Sequence, residues 1–331
     1  YIMRVKFTHT FEDIISVENL LEAWCEFVRG KRYKKDVQEF AWHLMDNILT
    51  LHRELKNHTY KHGGYQAFTI CDPKPRNIHK ALVRDRLLHR AIYRVLYPFF
   101  DRLFISDSFS CRDGKGTHKA LNRFQDMGRK VSKNNSTTCW VLQCDIKKFF
   151  ANIDHSILIN ILEKYISNQV ILWLLKEVLV SFYTVAPGVG LPLGNLTSQL
   201  FVNVYMNEFD QFAKHKLKTK YFIRYADDFV ILSSDRDWLL HVLPKIGDFL
   251  SEELRLELRP DKVFIKTLSS GIDFLGWVHF SDHRILRTTT KRRMYKNIAH
   301  ATNWVLTTQS YRGLLRHGNT MKLQSILDSF E

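Results

Sequence analysis

The sequence predicts an α+β fold, and three observations support that class. Apolar residues recur every three to four positions in several segments, which is typical of amphipathic helices. Other segments are short apolar runs bounded by Gly, Pro or Asp, which is typical of strands. The two kinds of segment follow one another without strict alternation, and this favours an α+β arrangement over a doubly wound parallel sheet.

The N-terminal part of the chain is predicted to be mostly helical. Residues 17–28 place Leu20, Trp24 and Phe27 on one helical face, and Ser16 precedes them as an N-cap. Pro73 and Pro75 end the strand that comes before them. The other elements predicted here are a helix over 37–51, a strand over 65–71, a basic helix over 79–100, and a helix capped by Thr117 and running towards Lys130.

The rest of the chain mixes strands and helices around acidic turns. An apolar strand over 139–144 ends at Asp145, and a hairpin over 221–232 turns at Ala226-Asp227-Asp228. A Gly- and Pro-rich loop over 187–194 leads into a helix that extends to about Phe212. The remaining predicted elements are helices over 155–166, 170–183 and 236–254, strands over 262–267 and 272–280, and a basic helix over 290–307.

Composition narrows the class of protein. The 331 residues carry a formal net charge of +15, and their cations recur along the whole chain. This positive excess favours a surface that binds phosphate groups. The alternative is that the charge serves solubility alone. The five cysteines form no CxxC pair, which excludes a zinc-ribbon or disulfide framework. No apolar run approaches the roughly 20 residues of a membrane span, and the first residues lack the charged region, apolar stretch and cleavage site expected of a signal peptide. We therefore expect a cytoplasmic protein with reduced thiols, trimmed near its C-terminus.

Three carboxylates stand where metal chemistry would need them. Asp145 ends an apolar strand, while Asp227 and Asp228 lie in a turn between two apolar strands. Adjacent acids among apolar residues are costly unless a cation neutralises them. Hard oxygen ligands suit Mg²⁺, and two such ions can drive phosphoryl transfer. The alternative for the acid pair alone is a solvated hairpin turn.

The order of four motifs gives the sequence a family resemblance. Tyr225-Ala226-Asp227-Asp228 resembles the YxDD box of reverse transcriptases, and Asp145 to Phe150 resembles their first catalytic box. Leu191 to Gln199 and Phe274 to Trp277 resemble the next box and the primer-grip box. The resemblance covers roughly residues 15–305. It implies a right-hand polymerase with fingers, palm and helical thumb.

The resemblance assigns roles residue by residue. Asp145, Asp227 and Asp228 would be the catalytic, metal-binding carboxylates for two Mg²⁺ ions, which Mn²⁺ could replace, with the Ile146 carbonyl as a further ligand. Phe150 stands at the steric-gate position, or else is a core ring. Leu193 stands where many family members have Gln, and reduced fidelity is the hypothesis that follows. The residues implied to bind the nucleotide are Lys74, Arg76, Arg112, Phe149, Phe150, Leu193, Gly194, Gln199 and Lys262.

The resemblance also implies a division of the chain and a path for nucleic acid. The N-terminal extension and fingers would span 1–140, the palm 141–287 with a fingers insertion at about 155–190, and the thumb 288–331. Helical spacing puts Arg292 and Lys296 on one face of the thumb helix. The residues implied to contact primer or template are Tyr225, Ala226, Gly276, Trp277, Arg292 and Lys296.

A narrower resemblance concerns the reverse transcriptases of diversity-generating retroelements. It is carried by Gly194 to Phe201, with its GxxxSQ pattern, by Gly114 to His118, and by Asn19 to Ala23. It implies an RNA-directed DNA polymerase that miscopies template adenines. Its partners would be deoxynucleotides, a structured template RNA, primer and cDNA, and a small basic oligomeric accessory protein. The gene would be bacterial, archaeal or phage-encoded.

Two alternatives stay open at this point. One is a phage-defence, retron or group II intron type of reverse transcriptase that uses its own noncoding RNA. The other is an RNA-binding scaffold with an inactive polymerase fold, against which the intact set of three acids argues. A neighbouring template repeat and variable gene would separate the first alternative from diversity generation.

Overall fold

A computed structural model of the chain describes residues 5–71 and 75–328. Its helices, in chain order, are α1 (Phe11–Ile15), α2 (Val17–Phe27), α3 (Lys35–Trp42), α4 (Leu44–Lys56), α5 (Val83–Asp101), α6 (Thr117–Val131), α7 (His155–Glu163), α8 (Gln169–Val180), α9 (Leu196–Gln211), α10 (Arg236–Leu254), α11 (Thr288–Ala299), α12 (Trp304–Leu315) and α13 (Met321–Asp328). Its strands are β1 (Tyr65–Ile70), β2 (Arg76–Ala81), β3 (Trp140–Asp145), β4 (Tyr221–Tyr225), β5 (Asp228–Ser233), β6 (Phe264–Thr267), β7 (Ile272–Phe274), β8 (Trp277–His279) and β9 (Arg284–Leu286).

The described residues divide into two compact units. The first comprises the chain up to Ile105 together with Ile146–Phe212 and Asp248–Glu257. The second comprises Ser106–Asp145, Ala213–Gly247 and the chain from Leu258 onwards. Helices and antiparallel strands are mixed without strict alternation, which confirms the predicted α+β class. The division into fingers, palm and thumb stays a prediction.

The first unit is built on buried faces of α2, α5 and α9. Ser16 caps α2 by accepting a hydrogen bond from the Asn19 backbone N–H at 3.2 Å, as the sequence predicted. The helix predicted over 37–51 is two helices, because the helical conformation is interrupted at His43. The helix predicted from residue 79 begins at Val83, and residues 76–81 instead pair with β1 in an antiparallel hairpin.

The second unit contains two antiparallel sheets. The larger has the strand order β4-β5-β3-β6, and the smaller has the order β7-β8-β9. A shared core joins Phe124 of α6, Val230 of β5, Trp277 of β8 and Met294 of α11. The strand predicted over 272–280 is a hairpin, because Leu275 and Gly276 both adopt positive φ and reverse the chain. The basic helix predicted over 290–307 ends at Ala299, and a second helix begins at Trp304.

A buried histidine in this core makes the second unit sensitive to acid. His279 is 1% exposed and packs edge-on against Phe124. Burial, helped by the nearby Arg284 guanidinium, lowers the pKa of His279 to about 3, from an ordinary value of 6.5. Below about pH 6.5, His279 therefore binds a proton in the unfolded chain but stays neutral in the folded chain. Stability contributed by neutral His279 is complete above that pH and is lost as the pH falls towards 3.

We expect His279→Gln to remove this pH dependence. Between pH 6.5 and pH 5, wild type should lose about 2 kcal/mol through this one group, at about 1.4 kcal/mol per pH unit. Denaturant unfolding at several pH values measures the loss, with the exposed His241→Gln as the matched control. If the free energy of unfolding falls as steeply below pH 6.5 in His279→Gln as in wild type, buried His279 is not the cause of the acid sensitivity.

Candidate active site

Two carboxylates lie side by side on neighbouring strands of the larger sheet. Asp145 is the last residue of β3, and it pairs in register with Asp228, the first residue of β5. Directly opposed residues of an antiparallel pair share one face of the sheet. Asp145 is 6% exposed at the end of a buried apolar strand. The fold therefore brings together two acids that are 83 positions apart in the chain, as the sequence predicted.

The turn between β4 and β5 supplies the third acid. Tyr225 pairs with Asp228, so Ala226 and Asp227 form a two-residue turn. Ala226 adopts φ of 56°, in the left-handed region that costs a residue with a Cβ about 1–2 kcal/mol. Strained positions of this kind persist where the surrounding structure holds them, often at functional sites. The turn places Asp227 beside Asp228 at the end of the sheet where β3 also ends.

A buried arginine holds this turn, and sequence reasoning missed it. Arg224 of β4 is fully buried, and its guanidinium donates to the Ala226 carbonyl at 3.1 Å and to the Ser108 hydroxyl at 3.1 Å. The backbone N–H of Arg224 also donates to the Asp107 carbonyl at 3.0 Å. The available signal was one cation in the apolar strand Tyr221–Tyr225, since a buried charge requires partners. Arg224 positions the turn that carries Asp227.

Charge in this cluster is strongly unbalanced. Lys262 contacts Asp145, with 2.5 Å between its Nζ and Oδ2 of the carboxylate. Burial, followed by the negative charges of Asp227 and Asp145, raises the pKa of Asp228 to about 7, and Lys262 offsets part of that rise. The like charges of these carboxylates favour the approach of a cation. The nucleotide-binding role predicted for Lys262 stays a prediction.

The carboxylates of Asp145, Asp227 and Asp228 are the kind of ligand that suits Mg²⁺. Its ligands would be hard carboxylate oxygens, and burial, followed by the charges of Asp227 and Asp145, raises the pKa of Asp228. Within residues 5–71 and 75–328, no three His, Cys, Asp or Glu side chains are placed to hold a metal ion together. Mg²⁺ keeps several waters and commonly takes one or two carboxylates plus substrate phosphates, so a closed protein cage is not required.

The second unit also contains all six residues predicted to contact primer or template. The Tyr225 hydroxyl hydrogen-bonds the Thr117 hydroxyl at 3.0 Å. Gly276 forms the β7–β8 turn, while the Trp277 ring is 1% exposed and belongs to the core. Arg292 and Lys296 are both exposed on α11, opposite its buried residues. In the same unit, half-buried Arg112, predicted to bind the nucleotide, donates to the Ser108 carbonyl at 3.0 Å.

The first unit contains the other residues predicted to bind the nucleotide. Phe149 is buried and Phe150 half-buried, with their ring centroids 5.6 Å apart. Ile146, whose carbonyl was predicted as a metal ligand, is 1% exposed. Arg76 is exposed and pairs with Ile70, the last residue of β1, and Gln199 is half-buried in α9. Lys74 lies outside the described residues.

The loop carrying Leu193 and Gly194 is fixed to β2. The Leu193 carbonyl accepts from the His79 backbone N–H at 3.0 Å, and the Asn195 amide donates to the His79 carbonyl at 2.8 Å. Gly194 has φ of 101°, and a Cβ there would come within 2.8 Å of Ile78. Glycine is therefore required, because both the backbone conformation and the close approach to β2 exclude a side chain.

Comparison with known proteins decides the family. The family model described as "Reverse transcriptase (RNA-dependent DNA polymerase)" matches residues 71–279, which is more than half of the chain and includes all three acids. The chain belongs to the reverse transcriptase family. The prediction of an RNA-directed DNA polymerase is thereby confirmed at the level of the family.

Relatives of this reverse transcriptase include intron-encoded proteins. The chain is 23% identical to the group II intron-encoded protein LtrA of Lactococcus lactis, over 76% of this chain and 52% of that protein. It is 24% identical to protein YkfC of Escherichia coli, over 63% and 62%, and 22% identical to a putative COX1/OXI3 intron 2 protein of Saccharomyces cerevisiae, over 73% and 33%. The chain thus spans less than two thirds of the length of each of these relatives.

A solved structure supports the fold. Telomerase from Candida albicans, determined with a fragment of telomeric RNA, matches 70% of this chain and 48% of its own with a TM-score of 0.51. The sequence identity is 12%, so the likeness concerns the fold alone. It is consistent with the predicted right-hand polymerase. In the described part of the chain, no helix has both the length and the apolar character needed to cross a membrane.

Proposed function

We propose that this chain copies an RNA template into DNA by metal-assisted nucleotidyl transfer. One observation carries the proposal: Asp145 and Asp228 face each other across β3 and β5, with Asp227 in the adjoining turn. In the reaction, a primer 3′-oxygen forms a bond to the α-phosphorus of a deoxynucleoside triphosphate. The bond from that phosphorus to the bridging oxygen breaks, and pyrophosphate leaves.

Residues of the second unit would bind the metal ions, reduce repulsion between the acids and position the acidic turn. Asp145, Asp227 and Asp228 would hold two divalent ions. When bound, such ions activate the attacking oxygen and stabilise the leaving group. Lys262 limits repulsion among the carboxylates through its contact with Asp145. Arg224 keeps the acid turn in place through the Ala226 carbonyl.

Within this activity we propose error-prone synthesis in a diversity-generating retroelement. The support is the sequence pattern from Gly194 to Phe201 together with Leu193, a leucine where many family members have glutamine. The residue beside the nascent base pair would then lack a polar side chain. The proposed partners are a structured template RNA and a small basic oligomeric accessory protein.

A second candidate is the polymerase module of a group II intron type of protein. The observation that favours it is the similarity to LtrA and to the yeast COX1 intron 2 protein, each of which is much longer than the matched region. A gene flanked by intron RNA sequences would support this candidate. A neighbouring template repeat and variable gene would support diversity generation.

Primer extension on a defined RNA template tests the proposed function. The reaction contains Mg²⁺ and all four deoxynucleotides, and the products are sequenced beside those of Asp227→Asn, which controls for contaminating polymerase. Templated extension present only in wild type would support polymerisation, and errors concentrated opposite adenines would support diversity generation. Faithful copying would favour the intron-type or defence-type enzymes. Absence of extension, with structured RNA and accessory protein also supplied, would contradict the catalytic proposal.

Phe150 provides a further prediction, on the choice of sugar. A half-buried ring that presses on the 2′ position would exclude ribonucleotides by steric overlap, which typically costs 1–3 kcal/mol. Phe150→Ala should therefore raise ribonucleotide incorporation relative to deoxynucleotide by about 10- to 100-fold. Single-nucleotide extension kinetics measure the ratio. Tyr183→Ala, which removes an exposed ring from the same unit, should leave it unchanged. If the ratio of ribonucleotide to deoxynucleotide incorporation is unchanged in Phe150→Ala, Phe150 is a packing residue and not a steric gate.

A further inference from the structure

An exposed apolar strip lies at the junction of α3 and α4 in the first unit. It consists of Trp42, Met45 and Leu49, which are 86%, 49% and 43% exposed. Exposed apolar residues that are scattered singly need no explanation, but tryptophan is highly buried on average in folded proteins. Three such residues within eight positions form a patch, and exposed apolar patches mark interaction surfaces.

The opposite face of α4 is the one that packs into the first unit. Ile48, Leu51 and Leu55 of α4 are fully buried. Met45 and Leu49 are four positions apart, so they are neighbours on the face that points away from this core. Trp42 is the last residue of α3, directly before the interruption of the helix. The apolar strip therefore contributes little to the core of the first unit.

Opposite charges stand at the two ends of the strip on α4. Asp46 and Arg53 are exposed, and neither side chain has an ion-pair partner in the described part of the chain. Seven positions separate them, which is about 10 Å along an α-helix. The midpoint between them falls between Leu49 and Thr50. The exposed face of α4 is thus acidic near its start, apolar in its middle and basic near its end.

This charge pattern is complementary to itself when one copy is reversed. In a two-fold symmetric contact, each residue faces the one that lies equally far beyond the axis. With the axis between Leu49 and Thr50, two antiparallel copies of α4 place Asp46 opposite Arg53 of the second copy, and Arg53 opposite Asp46. Leu49 then lies at the centre of the contact. A parallel arrangement would instead oppose like charges, which repel.

The same register also provides a partner for Trp42. It places Trp42 level with the end of α4 in the second copy, where Lys56 and Asn57 lie. Lys56 is exposed, and an ammonium group is attracted to the face of a tryptophan ring. The apolar strip, the two charges and the exposed ring would each gain a partner of matching chemistry.

We propose that this face is an interface between two copies of the chain, formed by antiparallel packing of α4 about a two-fold axis between Leu49 and Thr50. One pair of 13-residue helices buries less than the roughly 1,600 Å² of a standard interface, so the dimer is weak and forms at micromolar concentrations. The dimer does not depend on the proposed polymerase activity, because it involves residues of the first unit alone.

Sedimentation velocity of the intact chain, purified after nuclease treatment, tests for this dimer between about 0.1 and 100 µM. The variants are Asp46→Arg, Arg53→Asp and the two changes combined. The matched control is Glu18→Arg, since Glu18 is likewise an exposed acid in the first turn of its helix. Reversing either acid has the same unfavourable effect on the helix dipole, but only one of them lies on α4. Thermal unfolding confirms that each variant is folded.

Wild type and Glu18→Arg should form the dimer equally well. Each single reversal on α4 opposes two pairs of like charges, because every contact occurs twice about the axis, and Kd should rise at least about tenfold. The combined variant opposes unlike charges again, so its Kd should return to within about threefold of wild type. An equimolar mixture of Asp46→Arg and Arg53→Asp also opposes unlike charges at both positions and should form a mixed dimer. Recovery in either experiment supports the antiparallel register.

Three results would overturn the proposal: a monomer at about 100 µM, a dimer that Asp46→Arg weakens no more than Glu18→Arg does, and no recovery in either the combined variant or the mixture. If a charge variant unfolds at a lower temperature than wild type, Leu49→Gln replaces it. That change removes the apolar centre without altering charge, and it should raise Kd at least about tenfold. None of these results bears on primer extension, which depends on the acids of the second unit.

Discussion

Replacing Asp145 or Asp227 with asparagine is expected to lower the rate of primer extension by about 10³-fold or more. Each change removes one negative charge while keeping the size of the side chain, so the sheet should still form. Metal ions contribute several kcal/mol of charge stabilisation to the transition state, and each 1.4 kcal/mol corresponds to a factor of ten in rate. Single-turnover extension at saturating nucleotide measures the loss directly.

The matched control for these changes is Asp248→Asn. Asp248 is an exposed carboxylate on α10, and the same isosteric change there should alter the rate less than twofold. Thermal unfolding in EDTA confirms that each variant is folded. Since Asp145 lies among like charges, its loss should not destabilise the metal-free chain strongly. Near-normal extension by a folded Asp145→Asn would remove Asp145 from the catalytic machinery.

The second large effect is expected at Arg224. Arg224→Met keeps much of the buried volume but leaves the Ala226 carbonyl and the Ser108 hydroxyl without their donor. Leaving a buried or part-buried polar group without its hydrogen-bond donor typically costs about 1–3 kcal/mol for each group. We therefore expect Arg224→Met to destabilise the second unit by about 3 kcal/mol or more. Extension should also be lost, because no guanidinium then holds the strained Ala226 turn beside Asp227.

Two further variants separate a positioning role from general destabilisation. Arg224→Lys keeps the charge but cannot reproduce the forked guanidinium, so it should recover part of the stability and less of the activity. Arg129→Met, on the exposed face of α6, should change stability by less than about 0.5 kcal/mol. Denaturant unfolding and extension are measured on all three variants. If Arg224→Lys matches wild type in both stability and extension, the two hydrogen bonds donated by the guanidinium are not what positions the turn.

Local sequence patterns predicted many elements because those elements follow local rules. The helix over 236–254 was placed within its observed bounds, and the hairpin at Tyr225-Ala226-Asp227-Asp228 was recognised from two apolar runs around an acidic turn. Errors arose where backbone reversals lie inside apolar runs. Leu275 and Gly276 split one predicted strand into two, and His43 splits one predicted helix into two. β2 was read as the start of a helix, since its pairing with β1 is not local.

By itself, the sequence determined the class of fold and the family, and it singled out the three acids as candidates, because the acids belong to motifs with fixed order and spacing. Only the tertiary structure decided that Asp145 pairs with Asp228, that Lys262 contacts Asp145, and that Arg224 supports the turn. The physical reason is that register, burial and hydrogen-bond satisfaction depend on residues far apart in the chain, whereas periodicity and turn chemistry depend on neighbours.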